Sequence, residues 1–446
     1  MFKPLSGRGG FLFACDHFSR VDSARLPSII SHLSIFSLIN GSAMISVFSA
    51  LLLCAATPEP TWAGFRGDGT NVAAVDNLPL TWSDERNIAW QTPLDGYGQS
   101  SPVVLGGRIF LTSIEGKSKE VGVVACFDLK TGKKLWRAEV AASQLVPDSD
   151  MVSRGAPTPC ADAERVYAFF ESGDLAAFDH AGKQHWLRSL VKEYGEYQGN
   201  HGLGGSPAQS ADALYLLVDH DGPSYLLCVD KATGKNRWKV DRKSKISWSS
   251  PVYVAGPTPL VVVSSNGSVE AYAAADGKLV WSLDKLEGNT VASPALSDEL
   301  IVIGSSDVGE TTALRRAVTA SASAAQPEVL WKLRGASASF SSPLVYRGQV
   351  YVVNKSGVAA AAKAADGEIL WTERLPGSCW ATAIGSGERV YFFGKDGVTT
   401  VVAVGPQFER LAENSLSIEG RVYGAAAVPG AIVLRTGRKL LCVGQP

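Results

Sequence analysis

The stretch Asp128 to Trp136, DLKTGKKLW, returns along most of the chain. Asp179 to Trp186 reads DHAGKQHW, Asp230 to Trp238 DKATGKNRW, Asp276 to Trp281 DGKLVW and Asp366 to Trp371 DGEILW. In every copy a glycine (Gly132, Gly182, Gly234, Gly277, Gly367) stands four residues before the tryptophan. Recurrence of one short unit marks a repeat architecture, so the period has to be read before any single motif. Within the unit, Asp can bond nearby backbone amides and Gly accepts the positive φ of a tight turn, which is hairpin chemistry. A tryptophan at one fixed place per repeat predicts packing between neighbouring repeats, where such a ring buries about 150–250 Å².

Outward from that unit, tryptophans fall at positions 90, 136, 186, 238, 281, 331 and 371, at intervals of 46, 50, 52, 43, 50 and 40 residues. Trp90, Trp136, Trp186, Trp238, Trp281, Trp331 and Trp371 are therefore read as the inter-repeat set. An eighth closing strand is expected near Phe408 to Leu411, where the tryptophan is lost. Between these marks come a strand opening with Ser-Pro or its relic (Ser101, Thr158, Ser206, Ser250, Ser293, Ser342, Thr382 and, in the last copy, Ala426-Ala427), a β-branched and aromatic strand such as RVYAFF, and a third such as YLLCVD. There are eight sets, the last lacking its fourth strand, which Ile88 to Leu94 can supply. Offset ends of this kind close a ring and remove exposed sheet edges. The expectation is an all-β, eight-bladed propeller of four-stranded antiparallel blades over residues 88–446, with a turn-rich wrap at 57–87 and a leader at 1–56.

In the leader, the apolar run Ala43 to Leu53 followed by Cys54-Ala55-Ala56 has the order of a secretory signal, with cleavage after Ala56 and translation starting at Met1 or Met44. The alternatives are lipid attachment at Cys54, disfavoured by the bulky Leu53 before it, and an uncleaved membrane anchor, for which the apolar run is short. The chain is thus expected in the periplasm or cell envelope. A net charge of −1 gives no field for nucleic acid or an anionic membrane surface. Cys126, Cys228 and Cys442 occupy the same place in three separated repeats, beyond disulfide reach of one another, and read as small buried residues.

The Asp-x-x-x-Gly-x-x-x-Trp unit, the Ser-Pro strand and the eightfold count resemble the pyrroloquinoline-quinone (PQQ) repeat family. That resemblance implies one of two roles: a quinoprotein dehydrogenase holding PQQ and Ca²⁺ near the axis, or a non-enzymatic scaffold similar to BamB. The dehydrogenases carry adjacent cysteines beneath the quinone, and this chain has no Cys-Cys pair and no C-x-x-C-H. No catalytic, PQQ or Ca²⁺ residue is therefore carried over. The expected role is an exported, monomeric, protein- or peptide-binding scaffold without cofactor, within reach of a membrane-associated complex. The alternative is a periplasmic PQQ-dependent dehydrogenase. The irregular residues in the loops entering the first strands are Gln99, Arg154, His201, Trp248, Phe340, Trp380 and Tyr423. They form either a binding mouth on the axis or a packed plug of the channel.

Overall fold

A computed structural model describes residues 61–147, 152–199, 201–306, 308–316 and 326–446. The leader, Cys54 and both candidate start sites lie outside the described residues. The strands group into eight antiparallel sheets. Blade 1 contains Val103–Leu105, Arg108–Glu115, Val121–Asp128 and Lys134–Ala141. Blade 2 begins at Cys160–Ala161, blade 3 at Ala208–Gln209, blade 4 at Val252–Val254 and blade 5 at Ala295–Leu296. Blade 6 begins at Leu344–Tyr346, blade 7 at Ile384–Ser386 and blade 8 at Val422–Val428. The fourth strand of blade 8 is Ile88–Pro93, paired with Lys439–Gly444 in the register Ile88 to Val443 and Pro93 to Lys439. The ring is an eight-bladed β-propeller sealed by an early strand.

The strands are β-branched and aromatic because each blade is covered on both faces by its neighbours. Val103, Phe110 and Cys126 of blade 1, for instance, share one apolar cluster with Val166, Ala176 and Phe178 of blade 2. In all eight blades the third and fourth strands slip by one residue just before the tryptophan position, as between Cys126 and Phe127. Such a bulge re-aims the side chain that follows it.

The re-aimed ring lies on the glycine of the next blade. A Cβ added to Gly132, Gly182, Gly234, Gly277 or Gly367 would sit 2.4, 2.7, 2.7, 2.7 or 2.8 Å from the ring of Trp90, Trp136, Trp186, Trp238 or Trp331. Four of these indoles also donate Nε1–H to that blade's turn, Trp90 to Leu129 O at 2.9 Å, Trp136 to His180 O at 2.9 Å, Trp186 to Lys231 O at 3.0 Å and Trp238 to Ala274 O at 3.0 Å. Trp331 does the same to Ala364 O at 2.8 Å. The equivalent turn of blade 5, between Thr311–Arg315 and Val329–Leu333, includes residues 317–325, which lie outside the described residues. Trp371 instead meets the edge of Phe408, 5.2 Å between centroids.

Directly opposite each tryptophan in the ladder is a small residue: Cys126, Ala177, Cys228, Ala271, Ala313, Ala361 or Cys442. The closing strand of blade 7 is Arg410–Ser415, with Ala412 at the tryptophan position and the larger Val401 opposite it. That exchange keeps volume roughly constant, which close packing demands. Blade 8 has no turn between its third and fourth strands, so a tryptophan at 412 would have no glycine to lie on.

Residues 61–87 do more than wrap one face. Thr61–Trp62 adds a fifth strand to blade 1. The chain then crosses the bore, with Ala63 O accepting from Ala161 N at 2.8 Å in blade 2, Arg66 Nη2 donating to Pro294 O at 2.6 Å in blade 5, and Asn71 Nδ2 donating to Thr382 O at 3.1 Å in blade 7. Beyond it, Trp82 N–H bonds Asn414 Oδ1 at 2.8 Å and the Trp82 ring is buried against blades 7 and 8. The last relic of Ser-Pro is also two residues earlier than Ala426-Ala427. Ala426 pairs with Val433 as Val103 pairs with Phe110, so Gly424 occupies the serine place.

Candidate axial binding site

First strands run from the mouth of the ring inward, so the residues just ahead of them converge on the axis. Gln99, His201, Trp248, Phe340, Trp380 and Tyr423 line one axial cavity of about 400 Å³, with Phe65 of the crossing segment at its inner end. Arg154 is not on that wall. Its guanidinium lies over the Tyr97 ring at 4.7 Å, and its backbone N–H donates to Gln99 Oε1 at 3.0 Å. The structure thus gathers six of the seven mouth residues around one space and sets the seventh beside it.

The aromatic rings form two groups. Phe340 stacks on Trp380 (5.0 Å, 24°), Trp380 meets Tyr423 edge-on at 5.7 Å, and Tyr423 OH bonds Tyr97 OH at 2.7 Å. Burial, then the Tyr423 hydrogen bond, pushes the Tyr97 phenol up to about 12, so it stays a neutral donor and acceptor. Arg421 lies over Trp380 at 4.7 Å. Across the mouth, His201 packs against Trp248 at 5.6 Å, and Trp248 Nε1 donates to Gly202 O at 2.9 Å. Phe340 is 42% exposed, so the arc ends in an apolar ring open to the solvent. Tyr97, Arg421 and Phe65 were not legible as mouth residues: Tyr97 joins the arc through its hydroxyl bond and ring-edge contact to Tyr423, and Phe65 only because its segment crosses the bore.

Two residues further in, the Ser-Pro hydroxyls form a belt. Ser101 N–H donates to Thr158 Oγ1 at 2.9 Å, Thr158 N–H to Ser206 Oγ at 2.9 Å and Ser206 N–H to Ser250 Oγ at 2.9 Å. Ser250 N–H continues to Ser293 Oγ at 2.9 Å, Ser293 N–H to Ser342 Oγ at 3.1 Å and Ser342 N–H to Thr382 Oγ1 at 3.2 Å. The belt stops at Gly424, where a Cβ would lie 2.3 Å from Ser101 Oγ. All seven hydroxyl residues line the cavity. The recurring Ser-Pro was visible as a strand opening, and its constant hydroxyl was the signal for this belt.

The lining does not fit a Ca²⁺-bound quinone. A hard cation needs several oxygen ligands, carboxylates among them, and no Asp or Glu lines the cavity among the described residues. Nor do the described residues hold any group of three His, Cys, Asp or Glu suited to a metal. The other two cysteines of the described residues, Cys160 and Cys379, are buried and pushed up to about 12 by desolvation, which keeps them as neutral thiols.

A protein from Burkholderia pseudomallei named outer membrane protein assembly factor BamB is 29% identical over 248 residues, 54% of this chain and 60% of that protein's length. The crystal structure of BamB from Moraxella catarrhalis superposes with a TM-score of 0.59 at 12% identity, covering 80% of this chain and 99% of the other. A europium-containing methanol dehydrogenase superposes with a TM-score of 0.63 at 10% identity, covering 83% and 89%. At such identities the structural likenesses establish the fold alone. Among the described residues no helix is long and apolar enough to cross a membrane. The family model described as outer membrane protein assembly factor BamB matches residues 60–200 and 196–398, and the chain belongs to that family.

Proposed function

We propose that the protein is an exported, non-enzymatic propeller that binds protein at its axial mouth and serves assembly in the cell envelope. The observation that carries this reading is the stacked arc of Phe340, Trp380 and Tyr423, flanked by Arg154 and Arg421 and open to solvent around a 400 Å³ cavity. Rigid aromatic rings and arginines are the residue types that dominate protein recognition. The rings cost little conformational entropy to present, because their stacking already fixes them. The family name and the relatives' role in outer membrane protein assembly support the same reading. Export through the 1–56 leader, and any anchor at Cys54, belong to the proposal.

The test is cross-linking of the chain in intact cells, comparing it with Phe340→Ala and with the double variant Arg154→Ala/Trp248→Ala. Loss of the captured partner with an unchanged thermal midpoint supports the mouth. Undiminished capture refutes it. A parallel unfolding scan with PQQ and Ca²⁺ addresses the dehydrogenase alternative, since a ligand at 100 times its Kd would stabilise the fold by about 2.7 kcal/mol.

A further inference from the structure

The hydroxyl belt presents an unspent set of donors. A serine or threonine hydroxyl carries one O–H and two acceptor sites. Thr158, Ser206, Ser250, Ser293, Ser342 and Thr382 each use an acceptor site on a neighbouring blade's N–H. Among the described residues none of the seven O–H groups has an acceptor in the protein, although each residue is more than nine-tenths buried. Accepting from an amide polarises a hydroxyl and strengthens it as a donor. The wall of the cavity therefore holds a ring of buried O–H donors, with no Asp or Glu on the wall to take them.

Two buried guanidiniums stand behind that ring. Arg435 donates to Ser100 O at 3.3 Å, to Ser113 Oγ at 2.9 Å and to Ser100 Oγ, immediately before Ser101. Arg66 donates to Pro294 O, immediately after Ser293. Among the described residues neither has a carboxylate in salt-bridge contact, and Asp68, which acts on Arg66 at longer range, is exposed. Burial pushes Arg435 down to about 9 and Arg66 to about 10, so both remain charged at neutral pH. An unpaired buried charge is expensive to keep and makes its surroundings favourable for an anion.

The chemistry is ordered along the axis. The aromatic residues Trp248, Phe340 and Trp380 each precede a belt residue by two, so apolar rings surround the entrance and donors lie deeper. A ligand that fits enters with an anionic end first and leaves an apolar body at the mouth, which is the form of a chain terminus.

We propose that the axial cavity is a carboxylate site, and that its ligand is the C-terminal residue of a partner polypeptide. The carboxylate meets the hydroxyl belt, and the last side chain lies against Trp248, Phe340 and Trp380. This rests on the reading of the mouth as a protein-binding surface and names the feature that it grips.

The test uses the full chain and an N-terminally fluorescein-labelled peptide, Gly-Ser-Gly-Ser-Gly-Phe, as the free acid and as the C-terminal amide, with binding read by fluorescence anisotropy. The free acid is expected to bind at least about tenfold more tightly than the amide, the scale of one charge-assisted hydrogen bond. Ser293→Ala/Ser342→Ala should bind the free acid as weakly as the parent binds the amide. Should that variant fail to fold, the acid and amide comparison on the parent chain decides alone. Equal binding of acid and amide, both lost in Phe340→Ala, overturns the carboxylate site and leaves the protein-binding mouth standing. Competition by benzoate as effective as that of the unlabelled peptide overturns the polypeptide and assigns the cavity to a small aromatic acid. Binding of neither peptide, with partner capture still dependent on Phe340, overturns the inference and not the proposed function.

Discussion

Gly234 and Gly348 form a matched pair that separates the two tasks of glycine in this fold. Their φ angles are +72° and +73°, but a Cβ on Gly234 would lie 2.7 Å from Trp186, whereas one on Gly348 meets nothing within 4 Å. Alanine in the left-handed region costs about 1–2 kcal/mol. The stiffer unfolded chain returns about 0.4–1 kcal/mol. Gly348→Ala should therefore destabilise by about 1 kcal/mol. Gly234→Ala carries the same backbone cost and also forces the indole about 1 Å outward from the glycine to reach ordinary contact. The bond from Trp186 Nε1 to Lys231 O, 3.0 Å long, then breaks, leaving a half-buried donor without its partner at about 1 kcal/mol. With the packing lost around the ring, the expected total is about 3–4 kcal/mol. Urea unfolding monitored by tryptophan fluorescence gives both values from the midpoints and a common slope. A difference below about 0.5 kcal/mol would refute the claim that the glycines are selected as beds for the tryptophans and not only for their turns.

Three further outcomes follow from the same packing. Trp136→Ala, which removes a ring docked on Gly182 and bonded to His180 O, should cost about 3–5 kcal/mol in the same urea assay. The five buried cysteines of the described residues should resist a thiol reagent in the native protein and react together on unfolding, because desolvation raises each thiol; rapid native labelling of Cys126 or Cys228 would contradict their place beneath the tryptophans. His220 accepts Gln198 N–H and Gly222 N–H on Nδ1 at 3.0 and 2.9 Å, and burial holds its pKa below the ordinary value of 6.5. The unfolded chain then binds a proton that the folded chain refuses, so stability should fall as pH drops below about 6.5. His220→Asn, which retains an acceptor there, should flatten that slope, and an unchanged slope would remove His220 as its source.

The blade count and the seam through Ile88–Pro93 were legible because Asp-Gly turns, Ser-Pro openings and tryptophans each recur at one place per blade. What stayed hidden depends on which blade faces which. The ring nearest each unit's glycine is the preceding blade's tryptophan and not the unit's own, and no single-repeat reading separates these cases. The alternation of cysteine and alanine at 126, 177, 228 and 271 acquires a reason only when Trp136, Trp186, Trp238 and Trp281 stand opposite. Most of the mouth was visible as irregular residues in equivalent loops. Arg66 and Arg435 were not, since nothing in their local sequence distinguishes a buried guanidinium from an exposed one.

The seam has a consequence in time. Ile88–Pro93 is made early, and its partner Lys439–Gly444 lies almost the whole described chain away, so the strand waits while seven blades are synthesised. Each earlier blade can form from neighbouring segments, with little entropy lost in closing short loops. Blade 8 alone depends on the ring having come round to its starting point. A fault in any blade shifts the angle at which the last edge arrives, so the final pairing inspects all the others at once. An open array would let a damaged end fray by itself; here one misplaced blade leaves two strand edges unpaired and exposes the whole chain to removal.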